Sequence, residues 1–174
     1  MNGRLGLTIV ALAVLSVAAC GSATPSAAGQ EAGSQPAEMG FTAAQLCALV
    51  TQTEVSAAVG SAVGAGVPSG VNAPSCTWQD SNGAGATIAA GDPGSVGQIP
   101  FGLQNVPGAH VTPVSGVGDA AFYAAGATGT TAELDIRKGG RAITITVSRA
   151  DPNFSQAQQE AAELAIGTVA TGKL

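Results

Sequence analysis

Residues 132–149 constrain the fold more than any other stretch of this chain. Ala132, Leu134 and Ile136 alternate with Glu133, Asp135 and Arg137. After Gly139-Gly140, Ile143, Ile145 and Val147 alternate with Thr144, Thr146 and Ser148. A period of two is that of a β-strand with one buried face. Gly-Gly suits a two-residue hairpin turn, whose central positions need positive φ. Pairing Lys138 with Arg141 sets Ile136 opposite Ile143, Leu134 opposite Ile145 and Ala132 opposite Val147. One face is then wholly apolar and the other wholly polar. A slip of one residue would turn every large side chain outward, so the register is fixed. The chain must hold an antiparallel sheet that is covered on one side and wet on the other.

The rest of the chain supplies the cover. Asp151-Pro152 suits the start of a C-terminal helix, with proline near the first helical position. Phe154, Ala157, Ala161, Leu164, Ala165, Thr168 and Val169 then recur at helical spacing. Upstream, Thr42 with Gln45 has capping-box spacing, and Phe41 with Leu46 has hydrophobic-staple spacing. Thr51 with Glu54, and Val50 with Val55, repeat the device, and Gly60 fits the residue after a helix end. The pattern predicts two short helices, 43–50 and 52–59, meeting at a bend and packing on the sheet. Residues 61–73 read as a Gly-rich loop. Ser75 to Asp80 reads as a strand, with Cys76 and Trp78 on one face, and Ala84 to Ala90 as its return after Ser81-Asn82-Gly83. Residues 91–108 are irregular, with a helical turn near Val96 to Leu103. His110–Val114 and Ala120–Ala125 are further strands about a turn at Gly116–Asp119. The sum is an α+β fold: a twisted antiparallel sheet with N-terminal and C-terminal helices packed on one face, in a single domain over 41–174.

The first forty residues carry an address instead of a fold. Arg4 precedes an apolar run from Leu5 to Leu15, and Val17-Ala18-Ala19 leads into Cys20. A charged start, a short apolar stretch and a small-residue cleavage site make a signal peptide, over 1–19. The apolar run is short of the ~20 residues that span a bilayer. Val17-Ala18-Ala19-Cys20 resembles a bacterial lipobox, which marks Cys20 as the site of diacylglyceryl attachment; the alternative is ordinary cleavage after Ala19 with an incidental cysteine. Two or three acyl chains would anchor the mature protein stably to the membrane. Residues 20–40, rich in Gly, Ser, Ala, Pro and Gln, read as a lipidated flexible tether. The expected location is the outer face of the cell membrane, after export.

Export gives the cysteines their meaning. The chain has three. With Cys20 lipidated, Cys47 and Cys76 remain, and an even pair in an exported chain reads as a disulfide. Two separate buried thiols are the alternative. Charge narrows the partners. Without Arg4 the chain keeps five basic residues against eleven acidic, a net charge of −6. Nucleic acid and anionic lipid headgroups are bound by basic patches, so neither is an expected partner. Only 3% of residues are aromatic. The core must therefore be built from small side chains, each contributing modestly.

Several of these segments in this order resemble a known family. The lipobox and tether are followed by Leu46-Cys47-Ala48-Leu49-Val50-Thr51, Glu54-Val55 and Val59-Gly60. Cys76-Thr77-Trp78 comes next, then Gly116-Val117-Gly118-Asp119-Ala120-Ala121-Phe122 and the Leu134–Gly139 arm. The succession resembles the short actinobacterial lipoproteins that share a domain of unknown function, over most of 41–170. The resemblance implies an envelope location and a Cys47–Cys76 disulfide. It carries over no catalytic residues.

Chemistry-bearing patterns are sparse. Gly116-x-Gly118-x-x-Ala121 matches a dinucleotide fingerprint only superficially, because residues 120–125 read as strand and not helix. His110 is the only histidine. Ser115 and Asp119 could be imagined beside it, but no nucleophile elbow is present, and an exposed loop histidine is the better reading. One histidine and scattered carboxylates offer no metal-ligand cluster. Glu133 and Asp135 share a strand face and could do acid–base work, yet a solvated hairpin face explains them. Arg137, Lys138 and Arg141 at the hairpin tip could meet an anion, or simply keep the turn soluble. No catalytic residue, cofactor or metal is expected. The expected function is non-enzymatic binding of a small apolar ligand or envelope component, between sheet and helices or on loops 61–73 and 91–108. The alternative is a structural or accessory protein of an envelope complex.

Overall fold

The computed structural model describes residues 40–126, 132–149, 151 and 153–174. The signal peptide, Cys20 and the tether up to residue 39 lie outside them, as does Pro152. Two helices open the fold, α1 (Ala43–Leu49) and α2 (Gln52–Val59). Each starts with the expected reciprocal capping box, Thr42 with Gln45 and Thr51 with Glu54. The staple residues Phe41, Leu46, Val50 and Val55 are all buried. Gly60 ends α2 in the left-handed conformation, with φ 68°.

Seven strands come next: β1 (Val67–Ser69), β2 (Ser75–Gln79), β3 (Gly85–Gly91), β4 (His110–Val114), β5 (Ala120–Ala125), β6 (Ala132–Lys138) and β7 (Arg141–Ser148). They form one open antiparallel sheet in the order β1-β2-β3-β7-β6-β5-β4. The last element is α3 (Gln156–Thr171). With α1 and α2 it covers the face that carries Trp78, Ile88, Leu134, Ile136, Ile143 and Ile145, all fully buried. The fold is α+β with helices from both ends of the domain. Among the described residues, no helix is long and apolar enough to cross a membrane.

The β6–β7 hairpin has the expected register, with Ile136 opposite Ile143 and Leu134 opposite Ile145. Gly139 and Gly140 turn it with φ 58° and 80°. The ladder stops at Leu134–Ile145, so neither Glu133–Thr146 nor the expected Ala132–Val147 pair forms. In their place two side chains of α3 intervene. Gln159 Nε2 donates to the Ala132 carbonyl at 3.2 Å, and the Val147 N–H donates to Glu163 Oε1 at 3.0 Å.

Three other expectations need correction. Residues 67–69, read as loop, form the exposed edge strand β1. The C-terminal helix starts not at Asp151-Pro152 but at Ser155, whose hydroxyl forms a capping box with Gln158. Its buried face is also rotated. Ala157, Ala161, Ala165 and Thr168 are exposed, while Ala162, Glu163, Ile166, Gly167, Ala170 and Thr171 face inward. In a helix so rich in alanine, apolarity does not mark the buried side. Close approach does: a Cβ on Gly167 would lie 2.7 Å from Ile136 Cδ1, so glycine lets α3 settle onto the sheet.

Cys47 and Cys76 form a disulfide that ties α1 to β2, with a Cα–Cα distance of 5.1 Å. Trp78 lies beside it, as expected. A Cβ on Gly66 would meet Trp78 Nε1 and Cys76 Sγ within 2.8 Å.

Candidate functional site

The strand order decides where a site can form. β3 lies beside β7, yet the chain leaving β3 must next build β4 at the far edge. It has to cross four strand spacings, roughly 19 Å. The helices occupy one face, so residues 92–109 cross the other. This strap runs over the polar side of the β6–β7 hairpin, which the sequence alone presents as wet.

The strap is a chain of tight turns. Asp92 Oδ1 accepts from the Gly94 N–H at 2.9 Å, and Asp92 Oδ2 from the Ser95 hydroxyl at 2.9 Å. The Gly94 amide and the Ser95 hydroxyl hold the Asp92 carboxyl below the usual carboxylate range. The Pro100 carbonyl accepts from Leu103 N–H within the 3-10 turn Phe101–Leu103, inside the stretch where a helical turn was expected. Leu103 is buried and pins the strap. Gly97 packs against the Phe122 ring so closely that a Cβ would lie 2.9 Å from it.

Between pins the strap stands off the sheet. A cleft of about 330 Å³ lies beneath it, roofed by Val96, Gln98, Ile99 and Pro100 and floored by Glu133, Asp135 and Thr144. That is the lower end of the size of small-molecule sites, ~300–1,000 Å³. Among the described residues lining the cleft, none is basic. Thr144 Oγ1 donates to Asp135 Oδ1 at 2.6 Å. Burial raises the Glu133 carboxyl, reinforced by the Asp135 charge, to about 7. Burial also raises Asp135, against the lowering effect of the Thr144 hydroxyl. The reading of these two residues as a solvated face is thus corrected: they share one strand face, but the strap shields it. That both carboxyls are raised, Glu133 as far as about 7, is the physical signature of shielded carboxylates that lack a cation.

The other singled-out residues fall elsewhere. His110 is exposed at the start of β4, its Nδ1 3.1 Å from the Gly108 carbonyl. Ser115 and Asp119 lie beyond the other end of that five-residue strand, so no Ser-His-Asp arrangement is assembled. The Gly116–Asp119 segment is a tight turn between β4 and β5, with φ 82° at Gly116 and 62° at Gly118. Asp119 Oδ2 accepts from Gly139 N–H at 2.9 Å, locking it to the hairpin tip. Two of the three tip cations are engaged within the fold. Arg141 stacks over the Phe41 ring at 5.0 Å, and Lys138 donates to the Thr171 carbonyl at the end of α3. Among the described residues, no three metal-ligating side chains cluster.

The space between sheet and helices, one expected place for a ligand, is packed with Leu46, Trp78, Ile88 and Ile166. Outside that layer, α2 and α3 leave a shallow apolar groove along Ala57, Ala58, Ala165 and Val169. The cleft was partly legible: residues 91–108 stood out as a long irregular segment, and Glu133 and Asp135 as a pair. What joins them is the non-local pairing of β3 with β7. Comparisons with protein-family models, with curated proteins and with solved structures found no match for this chain.

Proposed function

We propose that this chain is an exported lipoprotein, anchored at the outer membrane face through Cys20, whose folded domain is a non-enzymatic binding module. The ligand site is the cleft under the 92–109 strap. The cleft itself carries the reading. A strap pinned at Gly97 and Leu103 holds about 330 Å³ open above two shielded carboxylates. Val96, Ile99 and Pro100 offer an apolar roof, while Glu133 and Asp135 offer acceptors with no basic neighbour in the lining. The ligand that fits is small, with an apolar body and one positively charged or hydrogen-bond-donating end. The lipobox and the resemblance to short envelope lipoproteins support the location.

A second reading rests on the apolar α2–α3 groove, which suits an accessory role beside an envelope protein. One experiment separates the two. The full-length lipoprotein is purified from membranes under native conditions, and co-purifying molecules are identified by mass spectrometry. The binding reading expects a basic or amphiphilic small molecule with the native protein and its loss from a Glu133→Gln/Asp135→Asn variant. A protein partner retained equally by both forms, with no small molecule, would instead establish the accessory role. Intact mass on the same sample checks the lipid on Cys20.

A further inference from the structure

Glu163 is fully buried on α3, and neither the cleft nor the core packing calls for an acid there. Its geometry gives it a task. A two-residue hairpin makes Lys138/Arg141 a hydrogen-bonded pair, and every second pair outward repeats that pattern. Ala132 and Val147 should therefore exchange N–H···O bonds. They do not, because the arms have parted. Gln159 takes the Ala132 carbonyl, Glu163 Oε1 takes the Val147 N–H, and Gln159 Nε2 also donates to Glu163 Oε1 at 3.1 Å. Two side chains one helical turn apart thus stand in for a rung of the sheet.

The second oxygen of Glu163, Oε2, has no hydrogen-bond partner among the described residues. The groups around it offer an anion nothing. Its own helix carries Glu160, the strap face of β6 carries Glu133 across the sheet, and β5 presents the buried hydroxyl of Tyr123, itself without a partner among the described residues. β7 offers only the Val147 amide already counted, and Arg149 beyond its end is turned to the Val59 carbonyl. A neutral carboxyl fits this place. An ionised one would sit buried beside like charges with half its oxygens unsatisfied.

We propose that Gln159 and Glu163 form a proton-operated latch on the end of the β6–β7 seam: neutral Glu163 holds the seam shut, and ionisation of Glu163 withdraws the side chain and frees the Val147 amide. Burial, opposed by the Val147 and Gln159 bonds and reinforced by Glu133 and Glu160, raises the Glu163 carboxyl to about 8. The latch would then work just above neutrality. It stands whether or not the cleft holds a ligand.

The test is amide hydrogen exchange across pH 5.5–9 on the full-length protein, corrected for intrinsic exchange chemistry. Ile145, which sits within the regular ladder, is the internal control. Val147 protection is expected to fall roughly tenfold or more between pH 6 and pH 9, the change expected for an opening linked to one proton a unit or more past its midpoint, while Ile145 keeps its protection. Glu163→Gln keeps both bonds without the charge, and its Val147 protection should stay level. A parallel decline at Val147 and Ile145, or a decline that persists in Glu163→Gln, overturns the latch. If that variant does not fold, the wild-type Glu163 carboxyl carbon gives the second measurement. Its titration midpoint must coincide with that of Val147 protection, and different midpoints also overturn the proposal.

Discussion

Glu133 and Glu163 differ from the surface acids of this chain in what folding does to their protons. Both are raised by burial, to about 7 and about 8. Each then binds a proton more readily in the folded state than in the unfolded one. Such groups contribute stability that is fully present below the unfolded value, near 4.5, and lost as pH rises through the folded value. Stability should therefore decline from about pH 5 to pH 9. Urea denaturation at fixed disulfide status measures it, and a rise over that range would contradict the shielding. The same linkage governs binding. A cation entering the cleft must displace the Glu133 proton, so its affinity should climb from pH 6 to pH 8 and level off, as read by calorimetry with the co-purified ligand. Backbone demands are as local. Gly118 has φ 62°, and a Cβ there would lie 2.5 Å from the Arg137 carbonyl oxygen. Gly118→Ala should cost about 1–2 kcal/mol or more in thermal or urea unfolding.

At the scale of elements, α3 shows what a small-residue sequence hides. Ala161 and Ala165 were expected inside, but the helix buries Ile166 and Gly167. Ile166→Ala should cost about 2–5 kcal/mol, whereas Ala161→Lys should stay within about 0.5 kcal/mol. Equal effects in urea titrations would refute the observed rotation. Ser155→Ala removes the observed cap and should cost about 1 kcal/mol. The caps of α1 and α2 were legible because Thr42, Gln45, Thr51 and Glu54 stand beside large staple residues. The start of α3 was not, since Asp151-Pro152 and Ser155–Gln158 are competing signals a few residues apart. β1 escaped because Val67-Pro68-Ser69 is short, exposed and set among glycines, with no alternation to betray it. The β6–β7 register was legible down to Leu134–Ile145. The last pair failed because the side chains that replace it come from a helix that begins beyond the end of β7.

The folded domain packs an aliphatic core of Leu, Ile and Val around Trp78, held by the Cys47–Cys76 cross-link and crossed by the 92–109 strap. The Cys47–Cys76 bond joins positions 29 apart in sequence. On the chain-entropy view it contributes roughly 3–4 kcal/mol, so reduction should lower the melting temperature markedly while leaving the sheet topology intact. The α+β class was readable from hairpin and helix periodicity. The covered polar face was not, because no local pattern says that β3 will pair with β7 and send residues 92–109 over Glu133 and Asp135. The most direct test of that shielded acidic cleft is a carboxyl-carbon NMR titration of the folded domain. Glu133 is expected to titrate at about 7, with Asp135 above an ordinary aspartate. If both instead titrate as solvent-exposed acids, the strap does not shield them and the cleft is not the site described.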